Sequence, residues 1–196
     1  MATPVDFSKD NTILANWSRA IDIDKMMYEF ESMNGQLLDF LFIMRNPPRY
    51  AFDKYLKLFE KLNDTEFVDT FFDVEKWLYD TPSVPGNLFR QIINDCYKNN
   101  LLIVPNKMKI NSREPHLEQQ RQQQHIDLTN ITVPLLMIDA EKDDLVTTDS
   151  ALALSNYISS KEKKTMINPG GHVALCISDE AHKKLWPEVA EWILSK

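Results

Sequence analysis

Asp143 and His172 stand 29 positions apart in the order acid then histidine, the order of the last two members of a nucleophile, acid, histidine triad. In that chemistry the imidazole takes the proton of the attacking group, while the carboxylate holds the ring in the right tautomer and stabilises its charged form. Asp143 lies a few residues past the apolar run Ile131-Thr-Val-Pro-Leu-Leu-Met-Ile-Asp139, and His172 follows the turn Asn168-Pro-Gly-Gly171 past a shorter run, Lys164-Thr-Met-Ile167. Both runs read as strands. Catalytic groups of open parallel sheets gather just beyond the carboxyl ends of the strands, so the two side chains are expected on one rim. Asp139 and Asp144 compete with Asp143 for the acid's role. An Asp after a strand also serves as a turn former or helix cap, and a Gly-Gly-His as a turn bearing an exposed imidazole.

The nucleophile is harder to find. Cys96 falls in the helical stretch Gln91-Ile-Ile-Asn-Asp-Cys-Tyr97 and is expected in the core, while Cys176, four positions after His172, is expected to pack under the last helix. Neither has the flanking glycines of the strand-turn-helix elbow that exposes and activates a thiol. His116, His125 and His182 lie in polar or helical contexts and are expected to be solvated. No His and Cys set at ligand spacing predicts a metal centre, and no cofactor is expected.

The elements that position the pair occupy the last third of the chain. The run at 131–139 predicts a strand buried on both faces of a parallel sheet. Thr148 to Ser159 fits an amphipathic helix with Ala151, Leu152, Leu154 and Tyr157 inward, and Glu180 to Leu194 a closing helix interrupted near its start by Pro187. Strand, helix, strand, helix implies a crossover and parallel pairing. Upstream, residues 11–100 are helical in pattern, broken at Pro47-Pro48 and at Thr81-Pro-Ser-Val-Pro-Gly86, and read as a helical cover. The opening Met1-Ala-Thr-Pro-Val-Asp-Phe7 reads as the tail of a strand. The segment from Asn106 to Gln124, with Glu118-Gln-Gln-Arg-Gln-Gln-Gln124, predicts a solvated loop or frayed helix.

Composition excludes several classes. Four glycines in 196 residues, Gly35, Gly86, Gly170 and Gly171, cannot make a GxGxxG, a Walker A loop or a GxSxG or GxCxG elbow. Dinucleotide, P-loop and self-contained hydrolase readings therefore fail. A net charge of −7 without a basic cluster argues against nucleic acid and anionic lipid partners. No apolar run reaches the roughly 18 residues needed to span a bilayer. Two widely spaced cysteines without a recognisable signal peptide favour free thiols in a reducing cytoplasmic setting.

With these residues in view, the chain resembles the catalytic subunit of polyhydroxyalkanoate synthases, class III in type. The resemblance is carried by Thr3-Pro-Val-Asp-Phe7, Glu75-Lys-Trp-Leu-Tyr-Asp-Thr-Pro82, Phe89-Arg-Gln-Ile-Ile-Asn-Asp-Cys-Tyr-Lys-Asn-Asn100, Ile131-Thr-Val-Pro134, Lys142-Asp-Asp-Leu-Val146 and Pro169-Gly-Gly-His172, in the family's order. It implies the carboxyl-terminal portion of an α/β-hydrolase fold with an inserted helical cap. Residues 1–10 would be a remnant core strand, 11–127 the cap, and 128–196 the α/β core carrying Asp143 and His172 as acid and histidine of a Cys-His-Asp triad. In the family the cysteine elbow precedes the Thr-Pro-Val-Asp-Phe strand, so Met1 is expected to be an internal methionine of a longer enzyme, and the 196 residues alone are expected to be inactive. The implied reaction is acyl transfer from (R)-3-hydroxyacyl-coenzyme A to a growing polyester, the coenzyme A thioester being substrate. The resemblance also implies a second synthase subunit, a homodimer and a cytoplasmic location, and leaves the polyester granule surface open. Asp144, where many relatives carry histidine, and the Gln-rich segment, which looks like an insertion, depart from the family. Two other readings share the residues: a thioesterase or lipase-like hydrolase with a different nucleophile, and a non-catalytic interaction fragment.

Overall fold

The computed structural model describes residues 1–111 and 123–196. Along the first half run α1 (Ile13–Ala20), α2 (Ile23–Met26), β1 (Ser32–Met33), α3 (Gly35–Met44), α4 (Lys54–Glu60), α5 (Thr65–Leu78), β2 (Val84–Pro85) and α6 (Gly86–Gln91). Then follow β3 (Lys109–Asn111), β4 (Gln123–His125), β5 (Leu135–Ala140), α7 (Thr148–Leu152), α8 (Leu154–Tyr157), β6 (Lys163–Asn168), α9 (Ala174–Ile177) and α10 (Trp186–Leu194). The described residues divide into two compact units, Ala20–Asn94 and the remainder, Met1–Arg19 with Asp95–Lys196.

The unit Ala20–Asn94 is helical. Asn34 starts α3 by accepting the Gln36 N–H at 2.8 Å, and Asp64 starts α5 by accepting the Phe67 N–H at 3.0 Å. Between α3 and α4 the chain passes through a wide π turn, Pro48–Asp53, with proline in its first turn, where the missing N–H is not needed. Lys54 and Glu75 join α4 to α5 at 2.8 Å, and the Tyr55 hydroxyl donates to the same carboxylate. β1 and β2 pair antiparallel, Met33 opposite Val84. Beside this clasp Gly35 lies so near the 81–82 backbone that a Cβ would stand 1.8 Å from the Thr81 carbonyl oxygen.

In the second unit β5 and β6 pair in parallel, from Leu135 opposite Lys163 to Ala140 opposite Asn168, with α7 and α8 in the crossover. This is the α/β order expected from the sequence. One face of the pair carries Ile138, Ala140 and Met166 into a cluster with Ala2, Leu175, Ala181, Leu185 and Val189. The Trp186 indole N–H donates to the Leu175 carbonyl at 2.9 Å, tying α10 to α9.

Several boundaries differ from expectation. The strand starts at Leu135, because residues 128–130 first make a tight 3-10 turn capped by Asp127. β5 is buried over its last four residues but only half-buried at Leu135 and Leu136, so the burial expected of the 131–139 run holds only for its end; in β6 Met166 and Asn168 are buried and Ile167 is 54% exposed. The helix over 148–159 divides at Ala153 into α7 and α8. Pro187 lies in the first turn of α10, and a π turn, Ala181–Leu185, precedes it. Residues 1–6 form no strand: the Ala2 N–H donates to the Ile138 carbonyl at 2.7 Å beside β5, and the chain then turns in a 3-10 helix at Phe7–Lys9. The Gln-rich segment is antiparallel at its two described ends, Lys109 opposite His125, and its middle lies outside the described residues. No helix among the described residues is long and apolar enough to cross a membrane.

Gly35→Ala must push the Thr81 carbonyl away or strain the start of α3. It is expected to cost about 3 kcal/mol, read as a fall in the urea midpoint of the chain.

Candidate functional site

Past the ends of β5 and β6 the backbone continues to bond across. The Glu141 N–H donates to the Asn168 carbonyl at 2.8 Å and the Lys142 N–H to the Gly170 carbonyl at 3.0 Å. The acid turn and the histidine turn are thereby fastened to each other. Each is also closed on itself. The Asp143 N–H donates back to the Ala140 carbonyl at 3.2 Å, and the Asn168 side chain accepts the Gly170 N–H at 2.9 Å. Glycine at 170 is required by proximity, since a Cβ there would meet the Ala174 Cβ at 2.6 Å.

On this base the two side chains meet. His172 Nδ1 lies 2.7 Å from Asp143 Oδ2. Asp143 Oδ1 accepts the backbone N–H groups of Leu145 at 2.8 Å and Val146 at 3.0 Å. The acid's side chain is 1% exposed and the imidazole 34%. Burial alone would raise the carboxyl's pKa, but the hydrogen bonds from His172, Leu145 and Val146 and the imidazole's charge outweigh it and hold Asp143 below the usual carboxylate range. A carboxylate only accepts, so Nδ1 carries a hydrogen and donates it to Asp143, and Nε2 is the ring nitrogen directed away from the acid. The arrangement is that of a base with a fixed tautomer, reachable from outside, backed by a buried anion.

The structure thus brings together Asp143 and His172, and it is Asp143 rather than Asp139 or Asp144 that meets the imidazole. Asp139, one strand residue earlier than the end of β5, is fully buried and neither oxygen has a hydrogen-bond partner among the described residues. Cys96 is buried as expected, and burial, with the charge of Asp95, pushes its thiol up to about 11. Cys176 is exposed rather than packed under the last helix; its neighbour Leu175, fully buried, does that packing. Among the described residues no thiol hydrogen-bonds the His172 ring. His125 and His182 are exposed, yet each ring donates to a carbonyl, Asn106 at 2.7 Å and Cys176 at 2.6 Å. His116 lies outside the described residues. No set of three or more metal-binding side chains gathers among the described residues. The two amides that hold Asp143 were not foreseen, because a backbone donor leaves no mark in residue type; the spacing Asp143-Asp-Leu-Val146 of an Asx turn was the available sign.

Over 193 residues, 98% of its length, the chain is 32% identical to the poly(3-hydroxyalkanoate) polymerase subunit PhaC of Allochromatium vinosum. The chain is thus similar to PhaC subunits over nearly its whole length. The PhaC of Synechocystis is 32% identical over 200 residues, and that of Haloarcula marismortui 28% over 194, each again across 98% of this chain. The chain spans about half the length of the first two PhaC relatives, 51% and 50%, and 38% of the third. No protein-family model matches it.

Because the folded state lowers the carboxyl's pKa, the stability Asp143 contributes is present above the ordinary carboxylate range and is lost as pH falls through the lowered value. Asp143→Asn is expected to cost about 2 kcal/mol at neutral pH. The difference from the parent should shrink as pH falls below the ordinary carboxylate range and through the lowered value, where the parent loses its charge as well. Thermal melts across that pH range check it.

Proposed function

We propose that this chain supplies the acid and the histidine of a poly(3-hydroxyalkanoate) polymerase, Asp143 and His172, within an α/β-hydrolase fold. The observation that carries the reading is the 2.7 Å contact between His172 Nδ1 and the buried Asp143 carboxylate, in a chain similar over 98% of its length to PhaC subunits. Residues 128–196 are read as core, 1–10 as belonging to that core, and 11–127 as the cap.

In the proposed reaction a cysteine thiol attacks the thioester carbon of a (R)-3-hydroxyacyl-coenzyme A. Its proton passes to His172 Nε2, and the imidazolium returns it to the coenzyme A sulfur as the thioester C–S bond breaks. The hydroxyl of a second acyl unit or of the chain end then gives its proton to the same nitrogen and attacks the acyl-enzyme; the acyl–sulfur bond breaks, the cysteine recovers the proton from the imidazolium, and the polyester is longer by one ester bond. Asp143 keeps Nδ1 protonated and stabilises the imidazolium in each step. The thiol is not assigned to Cys96: at about 11 its pKa leaves only about one molecule in ten thousand ionised at neutral pH. It is assigned to a cysteine outside these 196 residues, which are about half the length of the first relatives.

The competing hydrolase reading uses the same acid and histidine and differs in product. With the rest of the enzyme present, coenzyme A release from (R)-3-hydroxybutyryl-coenzyme A should yield polymer. His172→Ala should reduce that release by about a thousandfold or more. Free 3-hydroxy acid as the product would replace the polymerase reading by the hydrolase one, and wild-type turnover by His172→Ala would remove this histidine from the mechanism.

A further inference from the structure

A second buried carboxylate lies in the same unit, outside the reaction just described. Asp6 is 3% exposed, and both its oxygens are engaged. Oδ1 accepts from the Ser8 N–H at 3.2 Å, the Ser8 hydroxyl at 2.6 Å and the Asn100 amide at 2.8 Å. Oδ2 accepts from the Tyr157 hydroxyl at 2.9 Å and lies 3.7 Å from the Lys9 ammonium. Asn100 holds a left-handed backbone, φ 50°, and its own side-chain oxygen accepts the Phe7 N–H at 2.9 Å. Burial opposes the charge on Asp6, and the donors together still keep its pKa below the usual value. Four donating groups fill the acceptor positions of this carboxylate, and an ion pair lies beside them.

The segment held this way grips the far end of the acid turn. The Val5 and Asp6 N–H groups both donate to the Ser150 carbonyl at 3.3 Å, and the Lys9 carbonyl accepts the Thr147 hydroxyl at 3.0 Å. Thr147 also caps α7 and directly follows Val146, whose N–H is one of the two that hold Asp143 Oδ1. The acid turn is therefore fixed at its start by β5 and the histidine turn, and at its end by residues 5–9. Asp6 joins those residues to Asn100 and to Tyr157 of α8.

We propose that Asp6 is a positioning residue for the acid–histidine pair: by fastening residues 5–9 to Asn100 and Tyr157 it sets the end of the 143–147 turn, and so the presentation of Asp143 Oδ2 to His172. The proposal rests on the pair's assignment given under the proposed function. An apolar residue at 6 could fill the space, but it would leave the Tyr157 hydroxyl and the Asn100 amide without their acceptor and residues 5–9 without their anchor.

The test reads the hydrogen bond itself, in the 196-residue chain. The Nδ1 proton of His172 is followed by proton NMR, assigned by its loss in His172→Ala, and its exchange with water is timed. Asp6→Asn and Tyr157→Phe are expected to speed that exchange about tenfold, while Gly35→Ala, which weakens the other unit, leaves it unchanged. Unchanged exchange in both variants, or equal acceleration by Gly35→Ala, overturns the proposal. Should Asp6→Asn fail to fold, Tyr157→Phe decides by the same two outcomes. The readout needs no turnover, so a loss of the polymerase reading and a loss of this one are told apart.

Discussion

Two backbone hydrogen bonds beyond the ends of β5 and β6, Glu141 to Asn168 and Lys142 to Gly170, decide where the chemistry of this unit can be. A parallel pair ordinarily ends where its strands end. Here the ladder is carried on into the turns, so that the residues at 143 and 172 start from backbones already fixed to each other. The contact between a buried carboxylate and an imidazole is costly to assemble in any other way, since an anion taken from water must find its donors already in place. Asp143 finds three: two amides of its own turn and one ring nitrogen. Without the extended ladder the amides would still serve the acid, but the ring would have to be held by side-chain packing alone.

The asymmetry of the pair follows from the same base. The acid faces inward and the ring outward, and that division sets their tasks. An anion buried behind three donors is shielded from water, so the ring's orientation persists while its far nitrogen remains reachable. The cost falls on the acid's desolvation, and the hydrogen bonds more than repay it, as the downward displacement of its pKa indicates.

Much of this was legible in the residue order, and what escaped has physical reasons. The pair was named because strand runs and turn residues mark the rim of a parallel sheet, and the resemblance pointed to Asp143, but spacing alone did not separate it from Asp139 and Asp144. The separation depends on where successive side chains point along and past a strand, which turns on a phase set by one or two backbone angles. Cys176 was misplaced by the same margin, a single residue: on a short helix Leu175 faces in and Cys176 faces out. The role of Asp6 left no trace, because its partners, Asn100 and Tyr157, are far along the chain and become neighbours only through the fold. The Ala153 break and the π turns escaped because residue periodicity reports a helix without resolving its local winding.

The short clasp of β1 with β2 has a consequence for how this region can vary. Met33 and Val84 are opposite each other, so the two ends of residues 34–83 are separated by one strand spacing, about 5 Å. A change of length between these ends costs little in loop-closure entropy, because they are already held together. The three helices the clasp encloses, α3, α4 and α5, therefore leave and rejoin the rest of the chain at one place.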